Sequence, residues 1–477
     1  MAEYVVAIEL GSSKITGVAG KKNLDGSITV NAVVQEDASQ CIRKGYVNNI
    51  DRTAQCLTGI INKLKKQLKY EITQVYVGIG GQSIRSVRNV IVKDLPNETI
   101  ITGTMVDSLM DANRNMAYPE MEILYAATQE YKVDKQTAID PIGMTASHLE
   151  GNFLNILGRK SFYNNLNISF DKAGINIAEL YLAPVALADS VLTDAEKRGG
   201  CALVDLGADT TTVIVYHKNV IRHIAVIPLG GNNITRDLTS LLIDEKDAER
   251  MKLKYASAYT DLSDIDSSLR YSVDPEQSVE SRAFIDLVEA RVEEIVENVA
   301  VQIPAEYHDK LINGFVLTGG GANMKNIERA FRTYAQADKV RVAKFVNQPV
   351  TSSNPEVNAK NGRMNTVLGL IAKADMNCVG APYNPSELPF AQEDGVQGNR
   401  IAKGEQLGVV KTQAEKEKEE AERRRREEEE RLRLEEEERQ RIAREEEERR
   451  KRRENSPWGK FKRKLKGFGD SILEPEE

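Results

Sequence analysis

Residues 201–231, CALVDLGADTTTVIVYHKNVIRHIAVIPLGG, repeat the pattern with which the chain opens, YVVAIELGSSKITGVAG over residues 4–20. Each stretch has the pattern of an apolar strand, a polar turn that contains glycine, and a return strand. A third strand follows in each copy, and in the first it is SITVNAVVQE, residues 27–36. The turns are too short for a crossover helix, so each copy is an antiparallel β-β-β unit. Two such units in one chain predict an internally duplicated α/β fold with two lobes.

The charges of the chain are distributed unevenly. Among 477 residues, 65 are Lys or Arg and 72 are Asp or Glu, for a formal net charge of −7. Residues 411–454 hold 17 bases and 18 acids, residues 455–469 hold five bases and no acid, and residues 470–477 hold four acids. The remaining residues, 1–410, carry a net charge of −7. An acidic body argues against a nucleic-acid surface, which needs clustered Lys and Arg.

Several classes of protein are not expected from the composition. No run of 18 apolar residues is present, so a membrane-spanning helix is not predicted. The first ten residues have a strand pattern with an acid at Glu3, unlike a secretory signal peptide. Four scattered cysteines without a C-x-x-C pair predict neither a disulfide framework nor a zinc site, which fits a reducing cytoplasm.

Three glycine-containing segments have the chemistry of a phosphate site. In residues 9–14, ELGSSK, glycine allows close backbone approach, while hydroxyls, amides and Lys14 can donate to phosphate oxygens. Residues 205–211, DLGADTT, offer the same groups, and Asp205 is placed to hold Mg²⁺ directly or through water. Residues 318–322, TGGGA, lie between a strand and a helix. The alternative for each of the first two segments alone is an ordinary tight hairpin, and for the third it is ordinary packing between a strand and a helix. Together the three segments favour a nucleotide cleft between two lobes.

The three segments resemble the two phosphate turns and the adenosine turn of the actin-like ATPase superfamily. Within it, further stretches resemble the FtsA family of bacterial cell-division proteins, and the resemblance covers residues 1–380. It implies an α/β, actin-like, duplicated two-lobed ATPase fold with an inserted α+β subdomain. The stretches similar to that subdomain are VYVGIGGQSIRS (75–86), ILYAATQEYKVD (123–134), IDPIGM (139–144) and HLEGNF (148–153), and those similar to the nucleotide-side helices are PLGGNNITRDL (228–238) and DAERMKLKYA (247–256).

The resemblance also implies an ATP and Mg²⁺ site. Its expected members are Gly11, Ser12, Ser13 and Lys14 at the β- and γ-phosphates, Asp205, Gly207, Thr210 and Thr211 at the phosphates and metal, Glu249 and Lys252 at the ribose and base, and Gly319, Gly320 and Gly321 beneath the adenosine. Glu9, a second candidate metal ligand, stands where the family usually has Asp, and Asp209 stands where a small residue is common. We therefore expect nucleotide binding with weak ATPase activity at most. A surface ion pair is the alternative for Glu249 and Lys252.

The pattern and the resemblance together divide the chain into ten segments. They are residues 1–83 and 166–195 for lobe 1, 84–165 for the inserted subdomain, 196–230 and 309–356 for the upper part of lobe 2, 231–308 for its lower part, 357–380 for a closing helix, 381–410 for a linker, 411–454 for a charged spacer and 455–477 for a C-terminal tip.

The charged spacer alternates blocks of like charge, such as RRRREEEE. On a helix many Glu residues would precede a base by four positions, so a solvated single helix is favoured. Forty helical residues would span roughly 60 Å. Its apolar residues are too few for sustained heptads, which argues against a coiled coil, and disorder is the other alternative.

The tip, residues 456–473, has the pattern of an amphipathic membrane-binding helix. A stripe of large apolar side chains recurs at helical spacing, and bases flank it. Docking of this stripe on the protein's own body is the alternative. The predicted membrane-binding residues are Trp458, Phe461, Leu465, Phe468 and Ile472 in the stripe, with Lys460, Lys462, Arg463, Lys464 and Lys466 beside it.

The resemblance implies a membrane-tethered adaptor of cell division. It would bind ATP, polymerise, and hold FtsZ at the cytoplasmic face of the inner membrane, as a peripheral protein at the division site. Its expected partners are the C-terminal tail of FtsZ, further copies of itself, anionic phospholipid, and other division proteins through the inserted subdomain. Arg291 in VEARVEEI would receive the acidic tail; its alternative is pairing with Glu294 or Glu289. A small-molecule phosphotransferase and a pilus-assembly ATPase are the alternative functions.

Overall fold

A computed structural model describes residues 3–266 and 268–383. They belong to the first of the two units into which the chain divides, while the second unit is Gln413–Glu477. The predicted spacer and the predicted membrane-binding tip lie outside the described residues, together with nearly all of the predicted linker. Within the described part of the chain, no helix combines the length and the apolar character needed to cross a bilayer.

The first part of lobe 1 is a β-β-β unit followed by a helix and a further strand. Its elements are β1 (Glu3–Leu10), β2 (Lys14–Lys22), β3 (Ile28–Asp37), β4 (Ile42–Arg43), β5 (Tyr46–Val47), α1 (Ile50–Leu68), β6 (Tyr70–Ile72) and β7 (Gln74–Ile79).

Helix α1 begins and ends at defined sequence signals. The Asn49 side chain caps it by accepting a hydrogen bond from the Arg52 N–H at 3.1 Å, and Lys69 ends it in the left-handed region with φ 60°. Its buried face recurs at helical spacing and packs on the sheet, and it includes Leu57, Ile60, Ile61, Leu64 and Leu68.

The inserted subdomain has its own core. Its elements are β8 (Arg85–Ile100), α2 (Gly103–Arg114), β9 (Met121–Val133), β10 (Gln136–Ala138) and β11 (Thr145–Arg159). The strands form an antiparallel sheet in the order β10-β9-β11-β8. Helix α2 covers that sheet, and buried side chains including Leu109, Leu149 and Phe153 fill the space between them.

The chain then completes lobe 1 and enters lobe 2. The next elements are α3 (Lys160–Lys172), β12 (Asn176–Leu182), α4 (Ala183–Val191), α5 (Asp194–Gly199), β13 (Cys201–Leu206), β14 (Thr211–His217), β15 (Val220–Ile227), α6 (Gly231–Leu238), α7 (Glu245–Tyr255), β16 (Arg270–Ser272), β17 (Ser278–Glu280), α8 (Ser281–Val301), β18 (Phe315–Thr318), α9 (Ile327–Tyr334), β19 (Val340–Val342), β20 (Val350–Ser352), α10 (Pro355–Asn358), α11 (Asn365–Lys373) and β21 (Val379–Pro382).

The two main sheets repeat one topology. In lobe 1 the order is β3-β2-β1-β7-β12, and in lobe 2 it is β15-β14-β13-β18-β19. In both, the first three strands are antiparallel neighbours, and the last two run parallel to the first strand of the unit. One apolar core contains the lobe 1 sheet and one face of the lobe 2 sheet, and a second core lies on the other face of the lobe 2 sheet. The repeated topology is the structural expression of the repeated β-β-β pattern.

Two strands extend these sheets beyond the repeated five. Strand β20 adds to the edge of the lobe 1 sheet, where Val350 pairs with Ile28, although the predicted segment 309–356 assigns it to lobe 2. Strand β8 of the inserted subdomain meets β15 of lobe 2 at the pair Ala225 and Arg85. The sheet of the inserted subdomain is therefore hydrogen bonded to the edge of the lobe 2 sheet. The bounds of the ten segments remain predictions.

Candidate functional site

The turns after β1 and β13 have the same geometry. The Gly11 N–H donates to the Lys14 carbonyl at 3.1 Å, and the Gly207 N–H donates to the Thr210 carbonyl at 2.9 Å. At both glycines an added Cβ would lie 2.7 Å from that carbonyl oxygen, closer than real Cβ atoms approach. Each turn therefore requires glycine at its first position, directly after the end of a strand.

A loop of lobe 1, residues 38–49, connects the two turns, and we call it the cleft loop. The Ala38 N–H donates to the Ser13 carbonyl at 3.0 Å, and the Gly45 N–H donates to Ser12 Oγ at 2.9 Å. The Lys44 N–H donates to Asp209 Oδ2 of the second turn at 3.1 Å. The cleft loop thereby brings the two predicted phosphate turns to the same place.

Asp209 is held from both lobes. While Oδ2 accepts from the cleft loop, Oδ1 accepts from Asn232 Nδ2 at 2.8 Å, and the Asn232 N–H donates to the Ala208 carbonyl at 2.7 Å. The side chain is buried. The acid that departs from the family pattern is therefore a hydrogen-bonded link between the lobes.

Glu9 and Asp205, at corresponding positions of the two units, are the carboxylates of the cleft. Burial, and secondarily the Asp205 carboxylate, raise the pKa of Glu9 to about 8, against the opposing effect of its hydrogen bond with Thr366. Burial raises the pKa of Asp205 to about 6. Within the described residues neither acid has an ion-pair partner. Two neighbouring carboxylates that no basic side chain of the described residues neutralises are a donor set that fits a divalent metal such as Mg²⁺.

The glycine run of residues 319–321 packs directly against the second turn. Gly319 has φ 85°, and a Cβ there would collide with the Asp205 carboxylate and lie 2.7 Å from the Leu206 carbonyl oxygen. A Cβ on Gly321 would lie 2.9 Å from Leu206 Cβ. The absence of side chains at these positions brings the third predicted segment to the same cleft as the acids.

Glu249 and Lys252 form the ion pair that the sequence left as an alternative, and they also belong to a network at the second turn. Their side chains are 2.6 Å apart, and Lys252 Nζ donates to the Gly231 carbonyl at 3.0 Å and to Thr235 Oγ1 at 2.8 Å. The Gly231 N–H in turn donates to the Gly207 carbonyl at 3.0 Å. The pair therefore stands next to the predicted phosphate site.

Three predicted phosphate ligands differ in their surroundings. Ser13 and Lys14 are exposed, and Lys14 Nζ donates to Gln35 Oε1 at 2.9 Å. Thr211 is completely buried, and its hydroxyl donates to the Leu229 carbonyl at 2.9 Å. The hydroxyl of Thr211 thus has a protein partner within the core of lobe 2.

Arg291 lies on α8 and is bound by acids of its own chain. Its guanidinium donates to both oxygens of Asp237, at 2.6 and 3.1 Å, and it also pairs with Glu294. These contacts raise the pKa of Arg291. The pairing with Glu294 was one of the alternatives that the sequence offered. The pairing with Asp237 was not predicted, and it connects α8 to α6.

The sequence analysis missed several residues that shape the cleft. They are Lys44 and Gly45 of the cleft loop, Asn232 and Thr235 on α6, and Thr366 on α11 beside Glu9. The stretch 228–238 was expected to be a nucleotide-side helix, although Asn232 and Thr235 were not singled out within it. The backbone N–H groups of the cleft loop leave no such trace in the sequence.

Comparison with known proteins gives the family. Over 340 residues the chain is 32% identical to the cell division protein FtsA of Porphyromonas gingivalis, covering 70% of this chain and 71% of the relative. The chain belongs to the FtsA family of cell division proteins. The FtsA of Bacillus subtilis is 30% identical over 349 residues, covering 72% of this chain and 78% of the relative. The resemblance found in the sequence is thereby confirmed.

The family models agree with the fold. The model described as cell division protein FtsA matches residues 202–369, and the one described as SHS2 domain inserted in FTSA matches residues 81–157. The second match contains β8, α2 and β9, so the inserted subdomain is an SHS2 domain in an actin-like FtsA fold.

One solved structure has a similar overall fold at low sequence identity. The PilM-PilN type IV pilus biogenesis complex contains a chain with a TM-score of 0.53 and 14% identity, covering 77% of this chain and 97% of that chain. This similarity is one of fold alone, and the sequence identities assign the chain to the FtsA family.

Proposed function

We propose that the protein binds ATP with Mg²⁺ in the cleft between its lobes. The observation that carries this proposal is the pair of matching turns, each closed by a glycine N–H hydrogen bond and joined through the cleft loop. The backbone N–H groups of tight glycine turns suit phosphate oxygens. The glycine run packs against Leu206 of the second turn, so the adenosine would lie along its backbone next to those phosphates.

Glu9 and Asp205 would hold the metal, directly or through water. Mg²⁺ would neutralise the phosphates and the two carboxylates at once, which favours the ionised form of both acids. Lys14 would leave its exposed contact with Gln35 to meet a phosphate oxygen. The longer Glu9 in place of Asp is the reason that we propose binding with weak hydrolysis at most.

Calorimetric titration of the full chain with ATP and Mg²⁺ tests the proposal. The variant Asp205→Asn removes a charge from the metal site and should weaken binding by about tenfold or more, since it removes a ligand charge that the metal needs. Asp51→Asn is the matched control, because Asp51 is exposed and pairs with Lys172 on the outside of lobe 1. A wild-type titration without heat or saturation would contradict the proposal.

In the cell we propose that the protein polymerises and tethers FtsZ to the cytoplasmic face of the inner membrane. Membership of the FtsA family supports this role. The FtsZ tail would dock on the lower part of lobe 2 near α8, and the SHS2 domain would meet other division proteins. Because Arg291 is engaged by Asp237 and Glu294, the acidic tail would have to compete with them.

The predicted tip provides the test of membrane attachment. Full-length protein with ATP should sediment with anionic vesicles, and deletion of residues 456–477 should abolish this. Trp458 is the single tryptophan, so its emission should shift to shorter wavelength on anionic vesicles. Neutral vesicles serve as the control, since the bases of the tip would add about 1 kcal/mol each only on an anionic surface. Sedimentation of the truncated protein would contradict the role of the tip.

A further inference from the structure

We infer that Cys41 and Cys56 are a thiol pair that oxidises reversibly to a disulfide. They lie 15 positions apart, on the cleft loop and on α1, and their Sγ atoms are 3.5 Å apart. Bonded sulfurs are roughly 2.05 Å apart, so an approach of about 1.5 Å suffices. Cys41 is 3% exposed, and Cys56 is partly exposed. One sulfur is thus open to a small reagent, and the second lies behind it.

The other two cysteines lack this arrangement. Cys201 and Cys378 are both fully buried, on β13 and just before β21. The nearest polar contacts of the Cys378 sulfur are backbone carbonyls, and no thiol contact is recorded for Cys201 within the described residues. All four cysteines of the chain lie in the described part, so Cys41 with Cys56 is the pair that the fold brings together.

The reaction needs an oxidant, and a low-molecular-weight disulfide such as glutathione disulfide supplies it. The Cys56 thiolate attacks one sulfur of the reagent, forms a mixed disulfide and releases one glutathione thiol. Cys41 then loses its proton and attacks the Cys56 sulfur, and the second glutathione leaves as a thiol. Two protein thiols are oxidised and one reagent disulfide is reduced to two thiols.

The environment of Cys41 explains the order of these steps. Burial, and secondarily the contact with Cys56, raise the pKa of Cys41 to about 12, while Arg52 lowers it and Asp37 raises it slightly. Cys41 therefore holds its proton and is a poor first nucleophile. Its partner is the sulfur that solvent reaches, so the mixed disulfide forms at Cys56.

The bond would tether the cleft loop to α1. The Cys41 carbonyl accepts hydrogen bonds from the Asn48 and Asn49 N–H groups at 2.9 and 3.2 Å, so Cys41 joins the beginning of the loop to its end. Three residues later the same loop meets Asp209 through the Lys44 N–H. Oxidation therefore restricts a segment that touches both turns, and the consequence for nucleotide exchange rests on the proposed function.

Thiol mapping of the full-length protein tests the inference without nucleotide. Reduced protein is incubated with glutathione disulfide, alkylated with iodoacetamide under denaturing conditions and digested for mass spectrometry. The expected product is a linked Cys41–Cys56 peptide that lacks both alkyl groups, with Cys201 and Cys378 alkylated, and a reductant should restore the labels. Alkylation of both Cys41 and Cys56, or a mixed disulfide at Cys56 as the final product, overturns the inference.

A variant and a second measurement complete the test. Cys41→Ser should stop at the mixed disulfide of Cys56, because the attacking sulfur is missing. Hydrogen exchange of residues 38–49 should slow on oxidation of the wild type and stay unchanged in Cys41→Ser under the same treatment. Unchanged exchange in oxidised wild-type protein overturns the tether. Neither readout uses ATP, so failure here and failure of ATP binding are separate results.

Discussion

The Asp209 carboxylate accepts a hydrogen bond from the Lys44 N–H across the cleft, at 3.1 Å. Asp209 stands on the second turn, in lobe 2, and Lys44 stands on the cleft loop of lobe 1. The same carboxylate accepts from Asn232 at 2.8 Å. Hydrogen bonds to a charged acceptor are stronger than those to a neutral one, so this acid stabilises the contact between the second turn and the cleft loop.

Substitution of Asp209 by alanine should destabilise the protein. It leaves the partly buried Lys44 N–H and the Asn232 amide without their acceptor, which costs about 2 kcal/mol. The urea midpoint should fall with little change in the slope of the transition. Asp209→Asn is the informative companion, because the amide oxygen still accepts from Lys44 and the negative charge is gone. It should lose less stability than Asp209→Ala and bind ATP more tightly than the wild type at low salt. Equal stability of all three proteins would show that the link contributes nothing.

Alanine at Gly11 or Gly207 should abolish ATP binding and leave the fold intact. The added Cβ would lie 2.7 Å from the carbonyl oxygen of the turn, so the turn must open and its backbone N–H groups must move. Gly80→Ala is the matched control, since an added Cβ there meets nothing within 4 Å. Affinity for ATP by calorimetry and secondary structure by circular dichroism are measured together. Undiminished affinity in Gly207→Ala would contradict the assignment of the second turn.

The local part of this architecture and the meeting of the three glycine segments were predictable, whereas the individual contacts between distant residues were not. The repeated β-β-β pattern predicts two units because strand periodicity and turn chemistry are local, and the repeated strand order agrees. The contact of Lys44 with Asp209 spans 165 positions, and the pair of Arg291 with Asp237 spans 54. The hydrophobic periodicity of a sequence does not predict which N–H group contacts which carboxylate when two lobes pack together. For the same reason the sequence places β20 in lobe 2, whereas in the structure β20 pairs with the sheet of lobe 1.

The metal-free protein should lose stability as the pH rises from about 4.5 towards 8. The pKa of Glu9 is about 8 in the folded protein against an ordinary value of 4.5, so over this range the folded state holds a proton that the unfolded state has released. Each pH unit in this interval lowers the free energy of unfolding by at most about 1.4 kcal/mol. Thermal unfolding in the presence of a chelator measures the effect.

Two changes should remove this slope. In Glu9→Gln the carboxyl group is absent, so the metal-free variant should exceed the wild type in stability at pH 8, with a residual slope below pH 6 from Asp205. Added Mg²⁺ with ATP favours the ionised acids and should flatten the wild-type profile. A wild-type profile that stays level from pH 5 to 8 in chelator would contradict a raised pKa at Glu9.

Arg291 and Asp237 should couple strongly in a double-mutant cycle. The guanidinium donates to both carboxylate oxygens, and both side chains are only about one quarter exposed, so solvent screens the pair incompletely. Arg291→Ala and Asp237→Ala should each destabilise the protein, and the double variant should cost less than their sum by about 1–3 kcal/mol.

The same helix supplies the control for this cycle. Arg282 and Asp286 form an exposed pair four positions apart on α8, and exposed helix pairs couple by about 0.3–0.5 kcal/mol. Urea unfolding of both sets of variants at one salt concentration gives the two coupling energies. Because Asp237 already neutralises Arg291, Asp237→Ala should also strengthen binding of an acidic FtsZ tail peptide, provided that the arginine receives it. Coupling at Arg291 no larger than that at Arg282 would show that the pair contributes little to holding α8 against α6.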